Sequence, residues 1–238
     1  MKKSGVSGIA VAIVVYFGLV STAAGTLIIE HTGKNDPTGE GWVIFAQSSG
    51  VIVDPVTNDL GSGFDAWSLD DNSSNGGLKQ YDRSLTDAEV AEGNSTGWRL
   101  NGRLRVVDHN DAVDYSVYLS YANESRVWTL GFGSEADGDP IVKLFGGPSF
   151  TVTGGTDAYH LYELVFDPVG GSADLFVDGI ERISNYTGAT SSVKKRVGFG
   201  AGDSGAIVHG NYNLVRFETG ASSSPIPEPG PLVLLGIG

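Results

Sequence analysis

The chain has 238 residues, no cysteine, 35 glycines and a formal net charge of −13. That length accommodates one large domain or, less easily, two small ones, and is enough to be stabilised by burial alone. The missing thiols exclude a disulfide scaffold and thiolate metal ligands. The acidic balance excludes a nucleic-acid-binding surface and opposes adsorption to anionic lipid.

Taken in chain order, the first feature is Lys2 and Lys3 ahead of an apolar stretch from Val6 to Val20 and small residues from Ser21 to Ala24. This is the layout of a cleavable export signal, and roughly 15 apolar residues are too few for a spanning helix. Residues 1–24 therefore read as a signal peptide, which makes the protein an exported one. From Thr26 to Thr219, short apolar runs of period two are each stopped by Gly, Asn, Asp or Pro, which predicts an antiparallel all-β fold. Strands are expected around 42–46, 51–54, 63–69 and 78–83. Thr86-Asp87-Ala88-Glu89 has the spacing of a capping box and Gly93 can close a helix, so one short surface helix is predicted at about 87–92.

Trp98–Val107 alternates cleanly. Trp98, Leu100, Leu104 and Val106 fall on one face, and Arg99, Asn101, Arg103 and Arg105 on the other. In Val113–Tyr121, Val113, Tyr115, Val117, Leu119 and Tyr121 alternate with Asp114, Ser116, Tyr118 and Ser120. After strands near 126–132, 141–145 and 149–153, His160–Phe166 is apolar on both sides and reads as a central strand. The turn Asp167-Pro168-Val169-Gly170-Gly171 leads to a hairpin over Ser172–Ile183, closed by Asp178-Gly179, two residues that tolerate positive φ. Strands around 196–200 and 212–218 complete the series. No period-3.6 segment is long enough for a βαβ crossover, so a parallel sheet is not expected.

Tyr159-His160-Leu161-Tyr162-Glu163-Leu164-Val165-Phe166-Asp167-Pro168, continuing through Ala173-Asp174-Leu175-Phe176-Val177-Asp178-Gly179, resembles the concanavalin A-like lectin/glucanase superfamily in its laminin-G-like (LamG) and sialidase-lectin-like branches. The match is close over about 25 residues and extends over roughly 190 by strand spacing. The resemblance implies a jelly-roll β-sandwich over residues 25–220, with a concave face that often receives carbohydrate. At the far end, a Ser222-Ser223-Ser224-Pro225 spacer precedes Pro227-Glu228-Pro229 and the apolar run 231–238. This resembles a PEP-CTERM sorting tail without the rest of its transmembrane segment and its Arg-rich cluster. The resemblance implies an exosortase substrate at the cell surface or in the extracellular matrix. It also implies export and sorting machinery as partners, and transient membrane association wherever the full tail exists.

Catalytic chemistry was sought on the same residues. Glycoside hydrolysis needs paired carboxylates, and glucanases of the superfamily carry Glu-x-Asp-x-x-Glu on one strand. The nearest string here is Glu135-Ala136-Asp137-Gly138-Asp139-Pro140, with Pro140 in place of the second Glu, and it reads as a loop. His31, His109, His160 and His209 have no metal-ligand spacing. Asp137 with Asp139, or Asp70 and Asp71 with Asn72, offer oxygens to Ca²⁺ but lack a dedicated loop pattern, so no cofactor is expected. Gly200-Ala201-Gly202-Asp203-Ser204-Gly205 matches a dinucleotide fingerprint only in letters, since no helix follows.

A binding face remains. Arg103, Arg105, Asn101, Tyr118 and Trp67 are the candidate ligand contacts: the polar sides of strands 98–107 and 113–121 present the first four with Asp114 and Ser116, and Trp67 is expected with Asp70 and Asp71 at a sheet rim. Planar donors and aromatic faces suit sugar hydroxyls and carboxylates. The structural alternative is an ion pair from Arg103 or Arg105 to Asp114 across strands. Trp98 and Trp128 belong to the core by their apolar faces. The function expected is a noncatalytic surface protein that contacts a polysaccharide or surface glycan. A cryptic glycoside hydrolase or lyase using an acid such as Glu163, and a matrix protein without a ligand, are the alternatives.

Overall fold

The computed structural model describes residues 25–48, 50–71, 77–109, 117–202 and 208–220. The expected signal peptide, Pro227-Glu228-Pro229, Asp114 and Ser116 lie outside the described residues. In chain order the elements are β1 (Thr26–Thr32), β2 (Val43–Gln47), β3 (Val51–Val56), β4 (Ala66–Asp71), β5 (Lys79–Ser84) and helix α1 (Asp87–Thr96). Then come β6 (Trp98–His109), β7 (Val117–Ala122), β8 (Arg126–Ser134), β9 (Pro140–Leu144) and β10 (Ser149–Thr151). The rest are β11 (His160–Asp167), β12 (Ser172–Val177), β13 (Ile180–Tyr186), β14 (Ala189–Thr190), β15 (Arg196–Ala201) and β16 (Val208–Thr219).

These strands form two eight-stranded antiparallel sheets, the all-β architecture that the alternation predicts and the jelly-roll sandwich that the resemblance implies. The first runs β13-β12-β11-β6-β16-β4-β3, with β1 beside β16. β16 is long enough for β4 to pair with its first half and β1 with its second. The second sheet runs β10-β9-β8-β7-β15-β5-β2, with β14 beside β8. β11 lies between β6 and β12, and its residues His160 to Phe166 are all buried, in keeping with its two apolar sides. β1 gave no sequence signal, because apolar and polar residues are mixed on each face: Ile29 and His31 are buried, and Ile28 and Glu30 between them are half-buried.

Alternation sends alternate side chains of both sheets into one interior. At one end, Trp98 stacks on Phe166 at 5.3 Å and meets Trp128 edge-on at 5.2 Å and Tyr121 at 4.7 Å. At the other, Phe199 gathers His31, Trp42, Tyr81 and Tyr212 within 5.4 Å between ring centres. α1 carries the expected capping box, in which Thr86 Oγ1 accepts from Glu89 N–H and the Glu89 carboxylate accepts from Thr86 N–H. It extends beyond the predicted end to Thr96, because Gly93 faces Trp98 and Thr219 inside the helix and Gly97 is the cap.

The β12–β13 hairpin turns on Asp178 and Gly179 at φ 52° and 74°, the double left-handed geometry the pair tolerates. Asp178 does more than turn. Its carboxylate accepts from Leu161 N–H and lies 2.7 Å from His160 Nδ1, while His160 Nε2 faces the Gly155 carbonyl at 3.1 Å. Burial alone would lower the imidazole, but the hydrogen bonds to Asp178 and the Gly155 carbonyl outweigh it and raise its pKa above the ordinary value.

Two outcomes follow for stability. Trp98→Ala is expected to lose about 3–5 kcal/mol in urea denaturation, the cost of a large core truncation. The pH-dependent part of the stability difference between wild type and His160→Asn is expected to be fullest below pH 6.5, the ordinary histidine value, and to be lost as pH rises through the elevated folded pKa. Denaturation midpoints across pH 5–9 check the second, with the other histidines cancelling in the difference.

Candidate functional site

The outward face of β6 carries Arg99, Asn101, Arg103 and Arg105, as strand alternation requires. A buried guanidinium has to be paired, and Arg105 is only 5% exposed. Its partner comes from the loop between β3 and β4. There Asn58 and Leu60 sit at φ 47° and 52°, a left-handed backbone that Asn tolerates and Leu adopts at a cost. Asn58 N–H donates to Asp65 and Asn58 Oδ1 accepts from Gly63 N–H, which holds the loop closed over the sheet.

Between those two residues stands Asp59. Its carboxylate accepts from Arg105 Nε at 2.8 Å and Nη2 at 2.9 Å, from Tyr159 Oη at 2.8 Å and from Asn211 Nδ2 at 2.8 Å. Burial would raise its pKa, but these donors and the Arg105 charge hold it below the ordinary carboxylate value. Burial and the Asp59 carboxylate push the Tyr159 phenol upward. Above this cluster is a pocket of about 240 Å³. Leu60, Phe64 and Tyr159 give it apolar walls, Asp59 and Arg105 its floor, and Asp157 stands at the rim with its carboxylate 3.8 Å from Arg105 Nη1. Phe64 and Tyr159 meet edge to face at 5.1 Å.

The arrangement offers a ligand a charged floor held in place by hydrogen bonds. Asp59 is locked as an ionised acceptor and Arg105 carries a permanent charge, so neither is placed to exchange a proton at neutral pH. The apolar walls fit the C–H faces of a ring, and the Arg105–Asp157 rim offers a donor beside an acceptor for hydroxyl groups.

The candidate residues are divided by the fold. Arg105 is at the pocket floor, and Arg103 flanks it, its guanidinium 5.1 Å from the Phe64 ring centre and Nη1 3.4 Å from Asn213 Oδ1. Asn101 is buried farther along β6, in register between Glu163 and Arg216. Trp67, read as lying at a sheet rim, is instead in the interior, where Nε1 donates to Tyr81 Oη at 3.2 Å. Tyr118 is on the other sheet, since β7 belongs to the second layer and β6 to the first. Asp114, the acid expected opposite Arg103 or Arg105, lies outside the described residues; β6 pairs with β11 and β16, and Arg105 finds Asp59.

The acidic strings are tied into backbone. Asp137 Oδ1 accepts from Asp139 N–H, and Asp139 Oδ1 from Gly154 N–H, so 135–139 is a loop as expected. Asp71 is buried and accepts from Gly77 N–H. Glu163 is buried near Arg99, with Oε1 3.8 Å from Nε. Among the described residues, no group of three or more His, Asp or Glu is placed to hold a metal ion, and no helix is long and apolar enough to cross a membrane. Asp59, Tyr159, Asp157 and Asn211 were missed as site residues. The available signal was Asn58-Asp59-Leu60-Gly61-Ser62-Gly63, which reads only as a turn.

The profile of the family described as the Vibrio cholerae sialidase lectin insertion matches residues 71–218. That span includes Arg105, Tyr159 and Asn211, while Asp59 precedes it. The chain is 27% identical over 211 residues to the sialidase of Vibrio cholerae serotype O1, an alignment that covers 85% of this chain and 25% of that protein. The chain thus spans about a quarter of the length of the curated relatives it matches. Among solved structures, the carbohydrate esterase of the Shiga toxin-encoding bacteriophage phi24B has a TM-score of 0.58 at 11% identity, covering 83% of this chain and 100% of that one. A solved sialidase has a TM-score of 0.51 at 13% identity, over 82% of this chain and 19% of its own. At these identities the two structures bear on the fold.

Asp59→Ala is expected to lose about 3–5 kcal/mol, because it leaves the Arg105 charge buried without its partner. The wild-type contribution of Asp59 is present above the ordinary carboxylate pKa of 3.8 and lost as pH falls through its lowered folded value. Urea denaturation of both proteins between pH 2 and pH 7 checks the magnitude and the window.

Proposed function

Because the chain belongs to the family of the Vibrio cholerae sialidase lectin insertion, we propose that it is an exported, noncatalytic carbohydrate-binding protein of the cell surface or extracellular matrix. The observation that carries this reading is the pocket over Asp59 and Arg105. It combines two aromatic walls with a floor fixed by four hydrogen bonds to Asp59, and such preorganisation lowers the cost of fixing a ring. The family description supports a lectin role, and the locked ionisation of Asp59 supports binding without turnover.

The surface destination rests on the Lys2-Lys3 export signal and the Pro227-Glu228-Pro229 tail. In this reading a polysaccharide or surface glycan is the ligand, and Arg105, Asp157, Phe64 and Tyr159 are its contacts, with Arg103 supporting Phe64. Asn101 serves the sheet, Trp67 the core, and Tyr118 lies away from this pocket.

Affinity electrophoresis of the full chain in neutral and acidic polysaccharide gels, together with a glycan array, tests the proposal. Retention is expected in at least one gel, with Phe64→Ala and Asp157→Asn each weakening it by about tenfold, a loss of about 1.4 kcal/mol. Wild-type protein that is retained by no polysaccharide and binds no arrayed glycan would eliminate the binding role and leave the matrix role without a ligand.

A further inference from the structure

The outer face of the second sheet carries a separate groove. Where β2 pairs with β5, the register slips between Ile44 and Ala46, so Phe45 occupies a bulge. Bulges re-aim side chains, and Phe45 is 60% exposed with the Arg196 guanidinium over its ring, 4.4 Å from the centroid. On its other side Arg196 Nη1 meets Asp82 Oδ2 at 2.7 Å. Asp82 is 4% exposed, and its carboxylate lies over Gly198 of β15, where any Cβ would collide with Oδ1. Ring, carboxylate and glycine together fix the direction of the guanidinium.

Arg196 lines a groove of about 570 Å³ beside Val43, Phe45, Val193 and Lys194. Of its five N–H donors, the fold uses Nη1 against Asp82, which is the only ion pair of Arg196 among the described residues, and the opposite edge of the guanidinium can serve a ligand. Lys194 is exposed and makes no ion pair among the described residues, whereas neighbouring Lys195 is tied to Asp87 and Glu124. On a chain of net charge −13, an anion is repelled by most of the surface and drawn to such a basic groove. The Phe45 bulge also breaks the ladder at the edge of β2, which disfavours addition of a peptide strand.

We propose that this groove is a second saccharide site that takes a carboxylated sugar residue. The sugar carboxylate docks on the free edge of Arg196 and on Lys194, and the apolar ring face packs against Val43 and Val193. A planar guanidinium held from two sides matches a carboxylate with two parallel hydrogen bonds, which a lysine cannot reproduce. Asp82 is a positioning residue: burial pushes its carboxyl up to about 6 against the pull of Arg196, and its role is to aim the guanidinium. The inference rests on the reading of the chain as a carbohydrate-binding protein and adds the ligand class of a site on the opposite face.

Isothermal titration of the full chain with a galacturonic acid tetramer, and with the uncharged galactose tetramer as control, tests it. The acidic tetramer is expected to bind, and Arg196→Lys and Phe45→Ala to weaken it about tenfold or more. Val169→Ala, on the exposed turn after β11 and outside both sites, is expected to leave that affinity within about twofold, because distant sites act independently. Phe45 is exposed, so its variant keeps the fold. The second site is overturned if wild type does not bind the acidic tetramer, if both groove variants bind it as wild type does, or if Val169→Ala costs as much as they do. Loss of neutral-polysaccharide retention alone removes the first pocket and leaves this one standing.

Discussion

Strand alternation along β6 is the constraint on which the rest of the molecule depends. One side of the strand supplies Trp98, Leu100, Leu104 and Val106 to the interior, and the other turns Arg99, Asn101, Arg103 and Arg105 outward. With no disulfide to constrain the chain, burial of the first set has to supply much of the cohesion. The second set cannot then be freely chosen, since a guanidinium covered by neighbouring strands and a loop requires an acid within reach. Asp59 answers that requirement, and the pocket is the space left where its loop crosses the sheet.

The two faces of the sandwich solve the problem of a buried arginine in related ways. On the first sheet Arg105 is held by Asp59 through Nε and Nη2, so the charge pair forms a rigid floor and recognition falls to Phe64, Tyr159 and the Arg105–Asp157 rim. On the second sheet Arg196 is only partly engaged by Asp82, and its free edge lines the groove. Both faces rest on the same interior. Tyr212, on β16 of the first sheet, packs against Phe199 of the second and donates through Oη to the Tyr118 carbonyl on the second sheet. The same economy appears at the hairpin, where Asp178 closes the turn and also clasps His160 of β11.

Most of the fold was legible because it is written in short-range pattern. The alternation of 98–107, the two apolar sides of 160–166, the Asp178-Gly179 turn and the Thr86 capping box depend only on neighbouring residues, and all reappear in the structure. Where the sequence misled, a distant partner intervened. Gly93 looked like a helix stop until Trp98 and Thr219 packed against it, and Trp67 looked like a rim residue until Tyr81 from the facing sheet received its indole N–H. β1 was silent because its exposure pattern is set by β16, nearly two hundred residues away, and not by its own alternation.

By itself the sequence determined that this chain forms antiparallel strands with a hydrophobic side, where several of them turn, and which arginines lie opposite the core, because side-chain direction in a strand follows from parity alone. The tertiary structure decided which strands are neighbours, and therefore that Arg105 meets Asp59, Tyr159 and Asn211 while Tyr118 stands on the other layer. Asp59 is separated from Arg105, Tyr159 and Asn211 by 46, 100 and 152 residues along the chain. No local periodicity encodes such a meeting; it is fixed only when the two sheets close on their shared interior and bring remote loops over the same face.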